Sequence, residues 1–462
     1  MALANPACAS GGTFPMKATQ ARLRAWGGVA EPITLCQQPT FSHQLGAALQ
    51  RPAPSHLVVG NLRSYGDEVL NPDGHFIQTT HCDRVLHFDR RNGVVQVESG
   101  ITLAALQRII APHGWMLPVT PGTALLTVGG AIANDVHGKN HHTAGTFGQH
   151  VRELGLVRSD GQVLRCGPTE QADWFAATLG GMGLTGAITE ATLQLRPSGS
   201  GLLNIENHRF ANLDGFFALD ALHTPQHEYA VAWIDCAAQG RQLGRGIFSV
   251  ADHQPSAGEV PPAVLPPSAA ALRQRTVPCE LPVSLINSLS LRPFNWFYYH
   301  RPGVGLPAHT QQSMYQWLYP LDRIQHWNRL YGRAGFVQFQ CVIPPQHARD
   351  ALQEMLTTIA RSGTGSFLAV LKNFGNQRSP GLLSFPMPGT TLALDFPWQG
   401  QATATLLAQL HAINLAAKGR IYAAKDSHAP AHALAAGYPE LATFSRYLDP
   451  KLQSRMRQRF GL

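Results

Sequence analysis

Four histidines and three glycines lie within the fourteen residues HGKNHHTAGTFGQH (137–150). Imidazole side chains bind metals or exchange protons near neutral pH, and glycines let a ligand approach the backbone closely. The segment directly before it, PGTALLTVGGAIANDV (121–136), is also rich in small residues. Upstream, GNLRSYGD (60–67) forms a polar turn bounded by glycines after an apolar run. Two such loops suit one large anionic ligand whose phosphates accept hydrogen bonds from backbone N–H groups.

Other chemistries match these residues less well. His137 and His141 have the helical i, i+4 spacing of metal ligands, but nearby glycines disfavour a helix and no HExxH motif occurs, so we predict no metal site. GGMGLTG (180–186) contains GxGxxG, yet a helix-like segment precedes it and a strand-like segment follows it, the reverse of a dinucleotide-binding turn. No GxSxG or Walker motif is present. Histidines that only satisfy backbone groups in a compact loop stay an alternative.

The elements around these loops indicate an α+β fold. SHLVVG (55–60) and GVVQVESG (93–100) predict strands, and the run at 102–114 predicts a helix capped by Thr102. LGLVRSDGQVLRCG (154–167) predicts a hairpin that turns at Asp160-Gly161. Further strands are predicted at 335–344, 366–375 and 390–398, and a helix at 347–363. We predict three parts: a ligand-binding domain at 1–196 with its core from about 55, a second domain at 197–412 with the proline-rich excursion 252–282, and a segment at 413–462 that returns to the first domain.

Composition limits the class of protein. With 462 residues, of which 44% are hydrophobic, the chain is long enough for two domains. No apolar run reaches membrane-spanning length and no secretory signal is evident, so a cytoplasmic location is expected. Seven scattered cysteines predict no disulfide framework. The net charge of +8 suits an anionic partner, but no basic stripe interleaved with aromatics predicts nucleic-acid binding.

The motifs together resemble a known family. RSYGD (63–67), PGT (121–123), TVGGAIA (127–133), HGKNHH (137–142), GLTG (183–186), YPLD (319–322), SFPMPG (384–389) and YAAKDS (422–427) are similar to the vanillyl-alcohol-oxidase-type FAD-binding oxidoreductases. Within that family they most resemble the branch that acts on polyprenylphosphoryl ribose. The resemblance spans nearly the whole chain beyond residue 50 and implies a two-domain α+β fold with an antiparallel-sheet substrate domain.

The resemblance implies FAD as the cofactor and assigns residues to it. The matching cofactor contacts are Arg63, Ser64, Tyr65, Gly66, Asp67, Pro121, Gly122, Thr123, Thr127, Val128, Gly129, Gly130, Ala133, Asn134, His137, Gly138, Asn140, Ile188 and Tyr422. Many relatives carry a histidine that bonds covalently to the flavin where this chain has Arg63, so non-covalent FAD is expected. Leu62 stands where the usual loop has glycine.

The resemblance also implies a reaction. Lys425 is the first candidate catalytic residue and His137 the second, because oxidation of an alcohol needs a group that accepts the hydroxyl proton. The matching substrate contacts are Lys139, Gln338, Gln340, Lys372, Phe374 and Lys425. Two positions depart from the pattern: Ala393 replaces a cysteine, and Leu318 replaces a pocket tyrosine.

The implied activity is oxidation of the 2'-hydroxyl of a polyprenylphosphoryl-β-D-ribose to the 2'-keto sugar. This is the first half of an epimerisation to the arabinose form used in cell-wall arabinan biosynthesis, which a separate keto-sugar reductase would complete. Two alternatives stay open: an FAD-dependent oxidase of a free polyol, aldose or aldonolactone, and a flavin-binding scaffold without turnover.

The lipid-linked substrate implies peripheral contact with the inner membrane surface. We predict this contact in the proline-rich segment 252–282, through the basic residues Arg273 and Arg275 and the apolar residues Val260, Val264, Leu265 and Leu272.

Overall fold

A computed structural model describes residues 16–255, 275–301 and 310–462. Within these ranges no helix is long and apolar enough to cross a membrane. Most of the proline-rich segment, including Arg273 and its four apolar residues, lies outside the described residues, so its predicted membrane contact stays a prediction.

The first sheet has four strands in the order β1-β2-β4-β3, and only the β1–β2 pair is antiparallel. Its strands are Lys17–Ala21 (β1), Thr34–Gln38 (β2), His56–Val59 (β3) and His75–Gln78 (β4). The short helix Leu45–Leu49 (α1) packs beside it. The apolar run predicted as a strand at 55–60 is β3, and the loop GNLRSYGD leaves the sheet at its carboxyl end.

The second sheet is antiparallel, in the order β5-β6-β10-β8-β9. Its strands are Val85–Asp89 (β5), Val94–Glu98 (β6), Val151–Val157 (β8), Val163–Cys166 (β9) and Ala187–Gln194 (β10). The helices associated with it are Leu103–Ile110 (α2), Val128–Ala133 (α3), His141–Ala144 (α4) and Ala172–Thr178 (α5).

The predicted details of this region are largely confirmed. Thr102 caps α2 by accepting a hydrogen bond from the N–H of Ala105 at 3.1 Å. The predicted hairpin joins β8 to β9 at Gly161, whose φ of 89° favours glycine. GGMGLTG joins α5 to β10, so the order helix–turn–strand is confirmed.

The third sheet has eight strands in the antiparallel order β16-β12-β14-β13-β19-β20-β18-β21. Its strands are Leu202–Phe210 (β12), Tyr229–Ile234 (β13), Gly246–His253 (β14), Thr310–Ser313 (β16), Phe336–Ile343 (β18), Val370–Phe374 (β19), Gly389–Pro397 (β20) and Arg420–Ile421 (β21). Three helices cover one face: Leu213–His223 (α6), Pro345–Ser362 (α9) and Gln401–Ala416 (α10).

Strand alternation in this sheet separates the hydrophobic core from a polar face. In β18, Phe339 and Cys341 are fully buried against the helices, whereas Gln338 and Gln340 point to the opposite face. In β20, Leu392, Leu394 and Phe396 join the same core, and the residues between them lie on the polar face. The third sheet therefore presents a row of polar side chains toward the first two sheets.

The remaining elements are short or lie at the periphery. They are the strands Trp115–Met116 (β7), Arg196–Pro197 (β11), Arg275–Thr276 (β15) and Ile324–Gln325 (β17), and the helices Ser288–His300 (α7), Met314–Leu318 (α8), Ala431–Gly437 (α11), Leu441–Phe444 (α12) and Arg455–Phe460 (α13). Strand β7 pairs with β11, and β15 pairs with β17.

The C-terminal segment crosses back to the first two sheets. Leu434, Phe444 and Met456 share a buried cluster with Ala177 and Leu184 of the second-sheet region. The N–H of His56 in β3 donates to the carbonyl of Lys451 at 2.8 Å. This return carries residues 422–427 across the space between the sheets.

Candidate active site

A cavity of about 640 Å³ lies between the first two sheets and the polar face of the third. This volume is in the range of cofactor and small-molecule sites. The predicted site residues that line it are Arg63, Ser64, Tyr65, Pro121, Gly122, Thr123, Thr127, Gly129, Gly130, Ala133, Asn134, His137, Lys139, Ile188, Gln338, Gln340, Lys372, Tyr422 and Lys425. Segments far apart in the sequence therefore meet in one place.

The loop after β3 offers donors to an anion. None of the described residues accepts a hydrogen bond from the backbone N–H groups of 61–65. The Nε atom of Arg63 is also buried without a partner, while its guanidinium stacks 4.2 Å from the ring centre of Trp26. A row of free N–H groups beside a cation is the donor set that a diphosphate requires.

Backbone geometry in this loop explains why small residues occur there. A Cβ added at Gly60 would overlap the Oγ1 atom of Thr127. Glycine at this position therefore allows the loop to pack closely against the start of α3. Leu62 has a φ of 51°, which costs an L-residue about 1–2 kcal/mol. The loop thus makes a left-handed turn at Leu62, the position where the resemblance leads one to expect glycine.

A second loop, 121–127, is fixed by a carboxylate from a distant part of the chain. Asp322 accepts hydrogen bonds from the Oγ1 of Thr123 at 2.5 Å and from the N–H of Ala124 at 2.8 Å. Asn61 of the first loop donates to the carbonyl of Leu125 at 2.6 Å. Thr127 then caps α3 by accepting from the N–H of Gly130 at 3.2 Å. The two predicted cofactor loops are therefore held against each other.

His137 lies at the centre of a buried network. Gln340 lies 3.2 Å from its Nε2 atom, and the ring packs edge-on against Phe374, with 4.9 Å between ring centres. Burial, then the charges of Lys372, His141 and Lys425, holds the pKa of His137 well below its ordinary value. Because the amide of Gln340 donates to Nε2, we assign the proton of the neutral ring to Nδ1, which has no partner among the described residues.

A second network holds a carboxyl group that the sequence did not single out. Asn134 donates to Glu68 at 2.9 Å, and the hydroxyl of Tyr422 donates to the carbonyl of Asn134 at 3.1 Å. Burial raises the pKa of Glu68 to about 8, although Asn134 and Lys425 oppose the shift. One oxygen of Glu68 and the Oδ1 of Asn134 lack partners. These unpaired atoms border the cavity and could bind the polar parts of a ligand.

Three half-buried lysines, Lys139, Lys372 and Lys425, reach the cavity. Burial and the charge of Lys372 lower the pKa of Lys139 to about 7, and burial and the charge of Lys425 lower that of Lys372 to about 7. Lys372 donates to the carbonyl of Gly138 at 2.9 Å, and Lys139 donates to the carbonyls of Trp317 and Leu318. A bound anion would restore their full positive charge, so this cluster suits a phosphate.

Lys425 differs from Lys139 and Lys372 because the carboxyl groups of Asp395 and Glu68 act on its charge. Its Nζ lies 3.8 Å from the ring centre of Tyr65. Burial lowers the pKa of Lys425 below the ordinary lysine value, while the charges of Asp395 and Glu68 raise it. Burial raises the pKa of Asp395, which accepts a hydrogen bond from Gln338 at 2.6 Å. The lysine can therefore lose and regain a proton more easily than a lysine in water.

Six predicted site residues do not line the cavity and instead support it. Val128 lies in the hydrophobic core, and Asp67 forms an ion pair with Arg459 at 2.8 Å. A Cβ added at Gly66 would overlap the carbonyl of Asp426. Asn140 donates to the carbonyl of Pro118 at 2.9 Å. Gly138 binds Lys372 through its carbonyl, and Phe374 lies behind His137.

Three further expectations concern the histidines considered for a metal and the two positions that depart from the family pattern. His141 and His142 begin the single helical turn α4 and His137 lies outside it, so the i, i+4 helix considered for a metal does not form. Glu206, His208 and His223 are the side chains with metal-ligand spacing among the described residues, and none of them is in the cavity. Ala393 lines the cavity at the position expected for a cysteine, whereas Leu318 does not line it and Tyr315 does.

Sequence reasoning missed three carboxyl groups at this site: Glu68, Asp322 and Asp395. A signal was available for Asp322, which belongs to the quoted YPLD motif, and for Asp395, which interrupts the apolar run that forms β20. Burial, which gives these acids their importance, is not visible in the sequence.

The residues present fit FAD. The free N–H groups at 61–65 and the unpaired Arg63 suit its diphosphate, and the small residues Gly60, Gly129 and Gly130 leave room along the path between the loops. The buried side chains of His137 and Tyr422 line the same cavity, together with Lys139, Lys372 and Lys425. The α+β fold and this site define an FAD-binding oxidoreductase of the vanillyl-alcohol-oxidase type.

Comparison with known proteins identifies the family to which this chain belongs within the FAD-binding oxidoreductases. The model of the FAD binding domain family matches residues 47–167. Decaprenylphosphoryl-beta-D-ribose oxidase of Mycolicibacterium smegmatis is 34% identical over 95% of this chain and 96% of its own length. The chain therefore belongs to the decaprenylphosphoryl-β-D-ribose oxidase family. An uncharacterized protein of Streptomyces coelicolor is 35% identical over 78% of this chain and 100% of its own length. L-gulonolactone oxidase of Mus musculus is 35% identical over 30% of this chain and 31% of its own length.

Proposed function

We propose that the protein oxidises the 2'-hydroxyl of a polyprenylphosphoryl-β-D-ribose to the 2'-keto sugar. The observation that carries this proposal is the cluster of Lys139, Lys372 and Lys425, half-buried in one cavity with Gln338 and Gln340 on the polar face of the third sheet. The amides offer hydrogen bonds to sugar hydroxyls, and the lysines offer charge to a phosphate. The relative from M. smegmatis, whose name states that substrate, matches nearly the whole chain.

FAD would be held by the loops 60–65 and 121–130 and by Asn134, His137 and Tyr422. When bound, FAD supplies the acceptor for the hydride that leaves the sugar carbon. Because Arg63 occupies the position where many relatives attach the flavin to histidine, we propose that FAD is bound non-covalently. Acid treatment would then release it intact from the protein.

Lys425 is the residue we assign to accept the hydroxyl proton. Its pKa is lowered by burial, so a neutral amine is available near neutral pH. His137 is less suited to this role, because its Nε2 lone pair faces the amide of Gln340 and its basicity is low. We assign His137 to donate a hydrogen bond from Nδ1 and so to orient the bound ring or sugar.

Lys139 and Lys372 would bind the substrate phosphate. Burial lowers the pKa of both lysines to about 7, and an entering phosphate favours their charged forms. The phosphate therefore fixes the sugar relative to Lys425. A free polyol or aldonolactone would leave this positive charge uncompensated, which favours the phosphorylated substrate over the alternative that the partial match to L-gulonolactone oxidase suggests.

The product and the substrate imply two partners. A 2'-keto sugar must be reduced to reach the arabinose form, and we propose that a separate keto-sugar reductase does this. Since a polyprenyl chain resides in a bilayer, we also propose that the protein works at the surface of the membrane that contains its substrate.

The test is rapid mixing of the purified yellow protein with candidate substrates without oxygen. A short-chain polyprenylphosphoryl ribose should bleach the flavin absorbance, whereas ribose, xylitol and L-gulonolactone should not. The matched variant Lys372→Met should lose most of the response to the phosphorylated substrate while it still binds FAD. Bleaching by the free polyol or lactone but not by the phosphorylated sugar would contradict the proposal, as would a protein that takes up no FAD.

A further inference from the structure

Helix α7 (Ser288–His300) has one side fixed to the protein. Asn287 caps its start by accepting hydrogen bonds from the N–H groups of Leu289 and Ser290. Leu291 and Asn295 are buried, and Asn295 donates to Asp235 at 2.7 Å. Phe294 packs on Phe367 with 4.3 Å between ring centres. These contacts determine which side of the helix faces outward.

The outward side is apolar and aromatic. Leu289 is 86% exposed, Phe297 69% and Trp296 50%, and their spacing places them along one side of the helix. Val283 and Leu285, just before the helix, are 69% and 50% exposed. We call this surface the aromatic face: Val283, Leu285, Leu289, Trp296 and Phe297.

This concentration of exposed aromatic side chains distinguishes α7 from the other described parts of the chain. Among the described residues, the exposed large aromatic side chains are Phe294, Trp296 and Phe297, which all lie on α7, and the last two belong to the aromatic face. Two further exposed apolar residues, Ile324 and Leu368, line the cavity. A contiguous exposed apolar patch marks an interaction surface, whereas single exposed apolar residues do not.

The sequence around the aromatic face has only positive charges. Residues 281–321 contain no aspartate and no glutamate, and they contain Arg292 and Arg301. Arg292 is exposed on α7 among the apolar residues. Aromatic and aliphatic side chains beside basic residues are the composition of helices that lie in the interface of an anionic bilayer.

The aromatic face adjoins the exposed part of the cavity wall at Leu368, which we call the cavity mouth. Ile286, between Leu285 and α7, packs with Tyr65 and Trp327, which both line the cavity. Phe367, on which α7 rests, immediately precedes Leu368 at the cavity wall. A surface that held the aromatic face would therefore also lie beside the cavity opening.

We propose that the aromatic face docks on the surface of an anionic bilayer and brings the cavity mouth against the leaflet that holds the lipid-linked substrate. This inference rests on the proposed function for its biological purpose. Trp296 and Phe297 enter the interface between head groups and acyl chains, while Arg292 and Arg301 attract the anionic head groups.

The test is co-sedimentation of the FAD-loaded full chain with phosphatidylglycerol–phosphatidylcholine vesicles, compared with pure phosphatidylcholine vesicles. The chain should bind the anionic vesicles, and high salt should weaken binding. W296S/F297S should lower the affinity by about tenfold or more, because two apolar anchors are lost. R292Q and R301Q should each lower it by about fivefold. The matched control V163S/L222S removes two exposed apolar residues elsewhere and should bind as the native chain does.

The proposal would be overturned by no binding to anionic vesicles at low salt, or by equal binding of W296S/F297S and the native chain. A native chain that is dimeric without lipid and becomes monomeric in W296S/F297S would also overturn it, because the face would then be a protein interface. Flavin bleaching by a short-chain water-soluble substrate should be unchanged in W296S/F297S. Vesicle binding without bleaching by any phosphorylated sugar would instead contradict the proposed function and leave the docking surface supported.

Discussion

At the scale of single residues, the buried charged groups set the chemistry of the cavity. Lys425 lies against the ring of Tyr65 and close enough to Asp395 and Glu68 for their charges to act on it. Burial lowers the pKa of the lysine and raises the pKa values of both acids, so proton positions in this group are easily exchanged. These shifts support the proposed role of Lys425 as the group that accepts the hydroxyl proton.

The first prediction concerns Lys425 and pH. If its neutral amine accepts the proton, kcat/KM for flavin reduction rises with pH through a lysine pKa below 10.5, since kcat/KM reports groups of the free enzyme. Lys425→Gln should lose this rise and slow flavin bleaching by about 100-fold or more. Stopped-flow absorbance across pH measures both effects. Lys451→Gln, at an exposed position, is the control, and a variant at 425 that keeps the native pH profile would contradict the assignment.

The second prediction concerns His141, whose ring packs 4.6 Å from that of Phe374. Burial, then the charges of Lys372 and His142, lowers its pKa from 6.5 to about 3. Below pH 6.5 the unfolded chain binds a proton at this histidine that the folded chain does not bind. The stability contributed by the neutral ring is therefore complete above pH 6.5 and is lost as the pH falls toward 3.

Urea unfolding of the apoprotein at several pH values measures this effect. His141→Leu should reduce the acid-side slope of the unfolding free energy by up to about 1.4 kcal/mol per pH unit. His87→Leu, at an exposed histidine, should leave the slope as it is. An unchanged slope in His141→Leu would show that the histidine is not neutral in the folded protein.

At the scale of elements, loops from distant segments are fixed by single side chains. Asp322 follows α8 and accepts hydrogen bonds from Thr123 and Ala124. It thereby fixes the loop 121–127 that leads into α3. Because binding of a large cofactor requires this loop in one conformation, its order contributes directly to affinity.

The third prediction follows from this contact. Asp322→Ala should raise the Kd for FAD by about tenfold or more, because two charge-assisted hydrogen bonds to the loop are lost. Fluorescence titration of FAD into the apoprotein measures the change. The control is Asp89→Ala, which removes a carboxylate that accepts from the N–H groups of Arg91 and Asn92 in a turn away from the cavity. Equal FAD affinity in Asp322→Ala and the native chain would contradict the role of Asp322.

Much of the element structure was predictable because its signals are local. The alternation in GFVQFQCVIP identifies a strand, and β18 (Phe336–Ile343) confirms it with Gln338 and Gln340 on one face. The helix predicted at 347–363 is Pro345–Ser362. The strand predicted at 366–375 is shorter, Val370–Phe374, because Ser366 binds within its own loop by accepting from the N–H of Leu368. Contacts such as that of Asp322 with Thr123 join residues nearly two hundred positions apart and leave no local pattern.

At the scale of the whole molecule, the C-terminal return completes the site. Lys425 and Tyr422 reach the cavity because β21 pairs with β18 and the chain then crosses toward α3. The predicted domain limits at residues 196 and 412 stay predictions, and so do the individual site roles. The resemblance identified the segments that meet, whereas their distances and the state of each charged group required the three sheets to be assembled.

The central claim is that the cavity orients a phosphorylated lipid-linked ribose so that its 2'-carbon is oxidised. It is tested most directly by anaerobic stopped-flow reduction of the bound flavin with polyprenylphosphoryl ribose deuterated at C2' or at C3'. We predict that deuterium at C2' slows the loss of flavin absorbance and that deuterium at C3' does not. A slower reaction only with the C3' label, or no reduction by either substrate, would contradict the claim.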